Sequence, residues 1–230
     1  MLQAINLSMC YGDKHALKDL NFSVAPGEIF CLLGQNGAGK TTTINIFLGL
    51  LKPTSGTATI NNSSSLNNSN VRKNIAYIPE IVQLYRNLTG LENLNFFSQL
   101  AGFKYSEKEL ITFLNTVGLQ EEAHRKKLAT YSKGMRQKVG IAIALSKNAK
   151  YILMDEPTSG LDPKASFDFT EICKKLAKNG VGILMATHDI FNAVNVGSRI
   201  GIMKQGTIVH TAETSTINAQ QLQELYIKTI

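Results

Sequence analysis

Apolar residues cluster early in short, strand-length runs. Residues 16–24, 28–33 and 56–60 carry such patterns, broken by Pro26-Gly27 and Pro53, and they predict short strands. A different period follows Lys40. Ile44, Phe47, Leu48 and Leu51 recur at i, i+3, i+4 and i+7, which predicts a helix. The middle reads as helical. Leu91, Leu94 and Phe97 form one face of a helix opened by Thr89, and residues 107–114 form a second. Ser132 caps a third, whose interior at 141–145 is apolar on every side and therefore buried. The last third alternates. Residues 151–154 read as a buried strand, Phe169, Ile172, Cys173 and Leu176 as a helix stripe, and 181–186 as another strand. Strands at 199–203 and 207–210 and a short helix at 220–230 close the chain. Continuous apolar strands alternating with helices imply a parallel sheet covered on both faces. The expected fold is α/β, one domain over 1–230, with a helical insertion between about 84 and 148. Residues 61–70, mostly Asn and Ser, read as a polar surface loop, and no internal repeat is visible.

Composition narrows the class. A chain of 230 residues with 43% apolar and 18% charged content is that of an ordinary soluble globular protein. No apolar run approaches the ~18 residues of a membrane span, and the start lacks a basic segment followed by an apolar one, so no signal peptide is expected. Any action at a membrane then needs a second chain. Cys10, Cys31 and Cys173 are far apart and match neither a disulfide framework nor a zinc pattern; they read as reduced core residues of a cytosolic protein. The net charge of +7 is compatible with nucleic acid, an acidic membrane or phosphate-bearing ligands. The basic residues are scattered, however, and the short cluster His124, Arg125, Lys126 and Lys127 reads as a solvated face.

Candidate chemistry begins where an apolar strand stops. Gly34, Gln35, Asn36, Gly37, Ala38, Gly39, Lys40 and Thr41 match G-x-x-x-x-G-K-[ST], with Thr42 next in line. Glycines let successive backbone N–H groups turn toward an anion, and the helix that follows points its N-terminal partial charge the same way. Lys40 neutralises β and γ phosphates, and the Thr41 hydroxyl is placed to ligate Mg²⁺. The loop holds a nucleoside triphosphate. Further on, the buried strand at 151–154 ends in Asp155 and Glu156. An apolar strand cannot take charge in its middle, so both acids sit at its mouth, where ligands of doubly wound sheets gather. Asp155 is the natural Mg²⁺ partner, and Glu156 is placed to polarise a water in line with the γ phosphate.

The order of motifs resembles the ATP-binding subunit of ABC (ATP-binding cassette) transporters, over essentially the whole chain. The stretch Tyr131, Ser132, Lys133, Gly134, Met135, Arg136, Gln137 is similar to that family's signature loop. Ser159, Gly160, Leu161 and Asp162 resemble its D-loop, Thr187, His188 and Asp189 its switch histidine, and Tyr11, ahead of the first hairpin, its adenine-stacking aromatic. The resemblance implies a P-loop NTPase core with a mostly parallel sheet, an N-terminal antiparallel β subdomain and an inserted helical subdomain. It implies ATP and Mg²⁺ as ligands, with Glu156, His188 and Lys40 catalytic and His188 on the γ phosphate. It implies a dimer, of like or unlike chains, in which Ser132, Lys133, Gly134, Met135 and Asp162 serve the partner's nucleotide. The physical reading agrees, since Ser132 and the N–H groups after it make a second anion site. A separate transmembrane permease is the other implied partner, nucleic acid is not expected, and the location is cytoplasmic, peripheral on the inner face of the cell membrane. The chain departs from the family at Glu80, where glutamine is usual; a carboxylate there still reaches Mg²⁺ or its water but adds negative charge. The Lys133 to Gln137 sequence resembles exporters of drugs, antibiotics, peptides or lipids, and no appended regulatory domain is expected. A DNA- or ribosome-associated ABC ATPase predicts coiled-coil insertions or tandem cassettes, and an ATP-binding regulatory module predicts loss of Glu156 or His188. The sequence shows neither feature.

Overall fold

The computed structural model describes residues 1–64 and 69–230. At its centre, strands β3 (Ile29–Leu33), β7 (Tyr151–Asp155) and β8 (Gly182–Thr187) are apolar on both sides because both sides are covered. Ile29, Cys31 and Leu33 face one core while Phe30 and Leu32 face the other. The same alternation puts Ile152 and Met154 on one side of β7 and Tyr151 and Leu153 on the other. With β6 (Ile75–Ile78), β9 (Arg199–Lys204) and β10 (Thr207–Glu213), these strands form a sheet of order β10-β9-β3-β8-β7-β6. All its pairs are parallel except β9 with β10.

One face packs against α1 (Lys40–Phe47) and a second, antiparallel sheet of order β2-β1-β4-β5. That sheet contains β1 (Leu2–Tyr11), β2 (Lys14–Val24), β4 (Ser55–Ile60) and β5 (Ser63–Ser64). The other face packs against α7 (Pro163–Lys178), α8 (Ile190–Val196) and α9 (Ala219–Thr229), through Phe169, Cys173, Leu176, Ala193, Val196 and Leu222. The same core continues into α3 (Gly90–Leu100), α4 (Glu107–Thr116), α5 (Glu121–His124) and α6 (Lys133–Ser146). Thr89 opens α3 with a reciprocal capping box to Glu92, as its position before the apolar stripe predicts. Helix α6 joins the helical region to the sheet by burying Val139, Ile141, Ala142 and Ala144.

The structure corrects several sequence expectations. β1 has no clean alternation because Asn6 adopts φ 48° and the β1–β2 register shifts at bulges, so the strand is hidden in the pattern. Tyr11 is the last residue of β1 rather than lying ahead of the hairpin. The helix after Lys40 stops at Phe47, leaving Leu51 outside it, because Gly49 at φ 71° turns the chain left-handed. The expected loop at 61–70 contains β5 and the start of α2 (Ser69–Lys73), while 65–68 lie outside the described residues. His124 is not on a solvated face; it is buried, with Nε2 at 3.0 Å from the Leu119 carbonyl oxygen. Cys31 and Cys173 are buried as expected, but Cys10 is only half-buried, its Sγ 3.1 Å from His15 Nδ1.

Gly182 at the start of β8 allows the sheet to close over Tyr151. A Cβ there would stand 2.5 Å from the Tyr151 ring and 2.9 Å from the Ala25 carbonyl oxygen. Gly182→Ala is expected to destabilise the fold by about 1–3 kcal/mol, the usual scale of overpacking a filled site. Urea unfolding measures this, and unchanged stability would mean that the buried ring has room to move.

Candidate functional site

β3 ends at Leu33, and the next residues have little space for side chains. A Cβ on Gly34 would lie 2.5 Å from the Met203 carbonyl oxygen. Gly39 sits at φ 112° with its Cβ position 2.7 Å from the Ala16 carbonyl oxygen, so only glycine fits there without strain. The loop then enters α1, whose first residue, Lys40, is 5% exposed. Its ammonium donates to the carbonyl oxygens of Gly34 and of Gln35 (3.2 Å) and lies 3.5 Å from Glu156 Oε1. Thr41 Oγ1 donates to Asp155 Oδ2 at 2.8 Å. The phosphate loop and the mouth of β7 are therefore one site.

The cleft between them encloses about 210 Å³ and is lined by Tyr11, Gln35, Asn36, Gly37, Gly39, Lys40, Thr41, Thr42, Asp155 and Glu156. Gly34 and Ala38 contribute backbone to the same loop, with Ala38 N donating to the Gln35 carbonyl oxygen at 3.1 Å. Burial holds the Asp155 carboxyl above its ordinary range. The Thr41 hydroxyl and Lys40 oppose that shift, and the Glu156 and Glu80 charges add to it. Thr41 and Asp155 are hard oxygen donors already in contact, and such a pair fits a small divalent cation completed by phosphate oxygens.

Glu156 follows Asp155 with φ 46°, a left-handed conformation that costs a non-glycine residue on the order of 1–3 kcal/mol. That turn aims the carboxylate back across the mouth. His188 Nδ1 lies 2.9 Å from Glu156 Oε2, and the His188 backbone N–H donates to the same oxygen at 3.3 Å. Glu156 Oε1 is one of three buried side-chain atoms among the described residues that have no hydrogen-bond partner. Lys40 is within ion-pairing reach of it but not in hydrogen-bonding geometry. A carboxylate oriented at one oxygen, with the other oxygen unused, is arranged to accept a bond from a water.

The signature residues lie elsewhere. Ser132 caps α6, its hydroxyl accepting from Met135 N at 3.2 Å and keeping its own proton to donate. Gly134 brings α6 close to α7, since a Cβ there would be 3.1 Å from that of Ala165. Asp162 caps α7, accepting from Ala165 N at 2.9 Å. None of Ser132, Lys133, Gly134, Met135 or Asp162 lines the cleft that holds Lys40 and Asp155. Glu80 is likewise absent from that lining; its Oε1 accepts from Ser159 Oγ at 2.9 Å and lies 3.8 Å from Lys133 Nζ.

Gln137, which the sequence marks only as the last residue of the signature stretch, is 1% exposed. Its Nε2 donates to the carbonyl oxygens of Pro79 (3.3 Å), Glu80 (3.1 Å) and Pro157 (3.1 Å), tying the ends of β6 and β7 to α6. A polar residue on the buried stripe of α6 is the signal that marks it. Lys14 on β2 also lines the nucleotide cleft and was not singled out.

The family profile described as "ABC transporter" matches residues 17–159, which contain the phosphate loop, the helical region and the paired acids. This chain belongs to the ABC transporter ATP-binding family. As an ABC ATPase it binds nucleotide and hydrolyses ATP. It is 36% identical over 212 residues to the linearmycin resistance ATP-binding protein LnrL of Bacillus subtilis, covering 91% of this chain and 68% of that one. It is 32% identical over 226 residues to the lantibiotic transport ATP-binding protein SrtF of Streptococcus pyogenes, covering 98% and 96%. Among solved structures it is similar to a dimeric, post-hydrolysis ATP-binding cassette bound to ADP and phosphate. That match has a TM-score of 0.80, 31% identity and coverage of 93% and 99%. Among the described residues, no helix of this ABC ATPase is long and apolar enough to cross a membrane.

Proposed function

We propose that this chain is the ATP-hydrolysing subunit of an exporter for an antibiotic, drug, peptide or lipid, working by ATP-dependent closure of a dimer. The observation that carries the chemical part is the Glu156 carboxylate, fixed through Oε2 by His188 and open at buried Oε1 beside Lys40. Named relatives in linearmycin resistance and lantibiotic transport support export.

In this reading Tyr11 stacks on adenine and backbone N–H groups of 34–42 cradle the phosphates. Lys40 leaves its contacts with the Gly34 and Gln35 carbonyls to meet the β and γ phosphates. Mg²⁺, when bound by Thr41 and Asp155, neutralises charge on the phosphates. Glu156 accepts a proton from water as the water oxygen bonds to the γ phosphorus. The bond to the β,γ-bridging oxygen breaks, and ADP carries away that electron pair. His188 holds Glu156 and contacts the γ phosphate. Ser132, with the N–H groups of Lys133, Gly134 and Met135, caps the partner's nucleotide, and Asp162 sits where the chains cross. The geometry supports trans action because those residues do not line the chain's own cleft. Glu80 acts beside the metal site, less directly than a ligand, because its carboxylate is engaged by Ser159 and Lys133.

The whole chain, 1–230, then works as one domain in which the helices of about 84–148 form the arm that meets the permease. A groove of about 710 Å³ between β6, α3 and α6 has apolar walls at Tyr77, Phe97, Leu100 and Ile143, with Arg72, Lys73 and Lys147 around it. It suits an amphipathic permease segment with acidic residues, which would hold the subunit peripherally at the cytoplasmic membrane face. Leu100, 73% exposed, tests this. Co-expression with its multispanning permease should give membrane co-purification with ATPase activity. Leu100→Asp should lower co-purification about tenfold, the equivalent of ~1.4 kcal/mol of contact energy. Recovery equal to the parent removes the groove assignment, and recovery with ribosomes or DNA instead removes the transport reading.

A further inference from the structure

Lys133 opens α6, and its side chain reaches the chain that follows β7. Its ammonium donates to the Ser159 carbonyl oxygen at 2.6 Å and lies 3.8 Å from Glu80 Oε1. Ser159 Oγ closes the ring by donating to that same oxygen of Glu80 at 2.9 Å. Three segments meet here: the first turn of α6, the chain after β7 and the chain after β6. Gln137 ties the same three together from below through backbone carbonyls. The Glu80 charge is felt at Asp155, and Lys133 supplies a cation beside the Glu80 carboxylate.

An exposed ion pair at 3.8 Å contributes little alone. The Lys133 bond to a carbonyl and the Ser159 bond to a carboxylate are charge-assisted, however, and all three groups share one geometry. We propose that Lys133, Glu80 and Ser159 form an intrachain clamp that fixes Ser132 relative to the same chain's Asp155–Glu156 mouth. Lys133 is a positioning residue in this clamp. It rests on the dimer reading above, because Ser132 serves the partner's nucleotide there. The clamp makes the anion site a chain offers its partner depend on the state of its own metal site.

The test is a double-mutant cycle over Glu80→Gln and Lys133→Met, built in a Glu156→Gln parent that binds ATP without consuming it. Two quantities are read: the dissociation constant of the ATP-dependent dimer, by sedimentation, and the thermal midpoint of the nucleotide-free chain. Lys133→Met leaves Glu80 uncompensated and is expected to weaken the dimer about tenfold. Adding Glu80→Gln removes the uncompensated charge and should recover at least about threefold of that loss, the non-additivity of a shared network. Lys133→Arg, which keeps the cation and its donors, should stay within about threefold of the parent. Multiplicative effects on the dimer overturn the clamp, as does non-additivity confined to the thermal midpoint, which marks a local staple only. A parent that fails to dimerise with ATP overturns the functional reading instead, so the two failures are distinct.

Discussion

Glu156→Gln will bind ATP, lose about 10²–10⁴-fold in steady-state turnover, and elute as a dimer when ATP is present. The change is nearly isosteric. A glutamine oxygen still accepts from the His188 backbone N–H, which now reaches Glu156 Oε2 at 3.3 Å. An amide cannot take the proton of an attacking water, so the transferred γ phosphoryl loses its activated nucleophile. ATP binding itself should strengthen, because one negative charge is removed 3.5 Å from the Lys40 ammonium that has to face the triphosphate. With the γ phosphate uncleaved, the closed dimer accumulates. Steady-state ATPase assay and gel filtration read the two effects together. Turnover within tenfold of the parent would falsify the assignment of Glu156 as the proton acceptor.

Lys40→Ala acts at an earlier step. The ammonium is nearly buried and is shared between the Gly34 and Gln35 carbonyls and Glu156. Truncation removes the cation that meets the phosphates and leaves Glu156 Oε1 buried without the Lys40 charge beside it. Removing one partner of a buried charge pair costs about 3 kcal/mol or more, so the ATP dissociation constant should rise about 10²-fold. Titration with a fluorescent ATP analogue measures it. An affinity within fivefold of the parent would show that backbone donors alone hold the phosphates.

How much of this was readable in the residues depends on range. The phosphate loop was legible because its chemistry is local: glycines, a lysine and a threonine within one strand–helix turn. The central strands were legible because burial on both faces leaves an unbroken apolar run, as at 151–154. β1 was not, because Asn6 and the adjoining bulges break the period-two pattern that would announce a strand. The end of α1 was misplaced since Leu48 and Leu51 continue the helical spacing past a left-handed Gly49. In the site, the Thr41–Asp155 and Glu156–His188 contacts span 114 and 32 residues, and only the fold closes them. Glu80 came forward as a metal ligand only through the family resemblance, as it stands where that family has glutamine. Its actual neighbours, Ser159 and Lys133, come from two other segments that no spacing rule joins to it.

Helix α6 has a mechanical consequence. Its Ile143, Ala144 and Lys147 end lines the apolar groove, and its opposite end carries Ser132. Between them runs an uninterrupted rod of 14 residues, about 21 Å long at the usual rise per residue. Gly140 seats it so closely on Val82 that a methyl group would stand 3.3 Å from that side chain, which leaves little slack for sliding. With the permease seated in the groove as proposed, α6 and the Val82 segment packed on it would shift together, so contact at one end of the helix would be felt at Ser132 on the other.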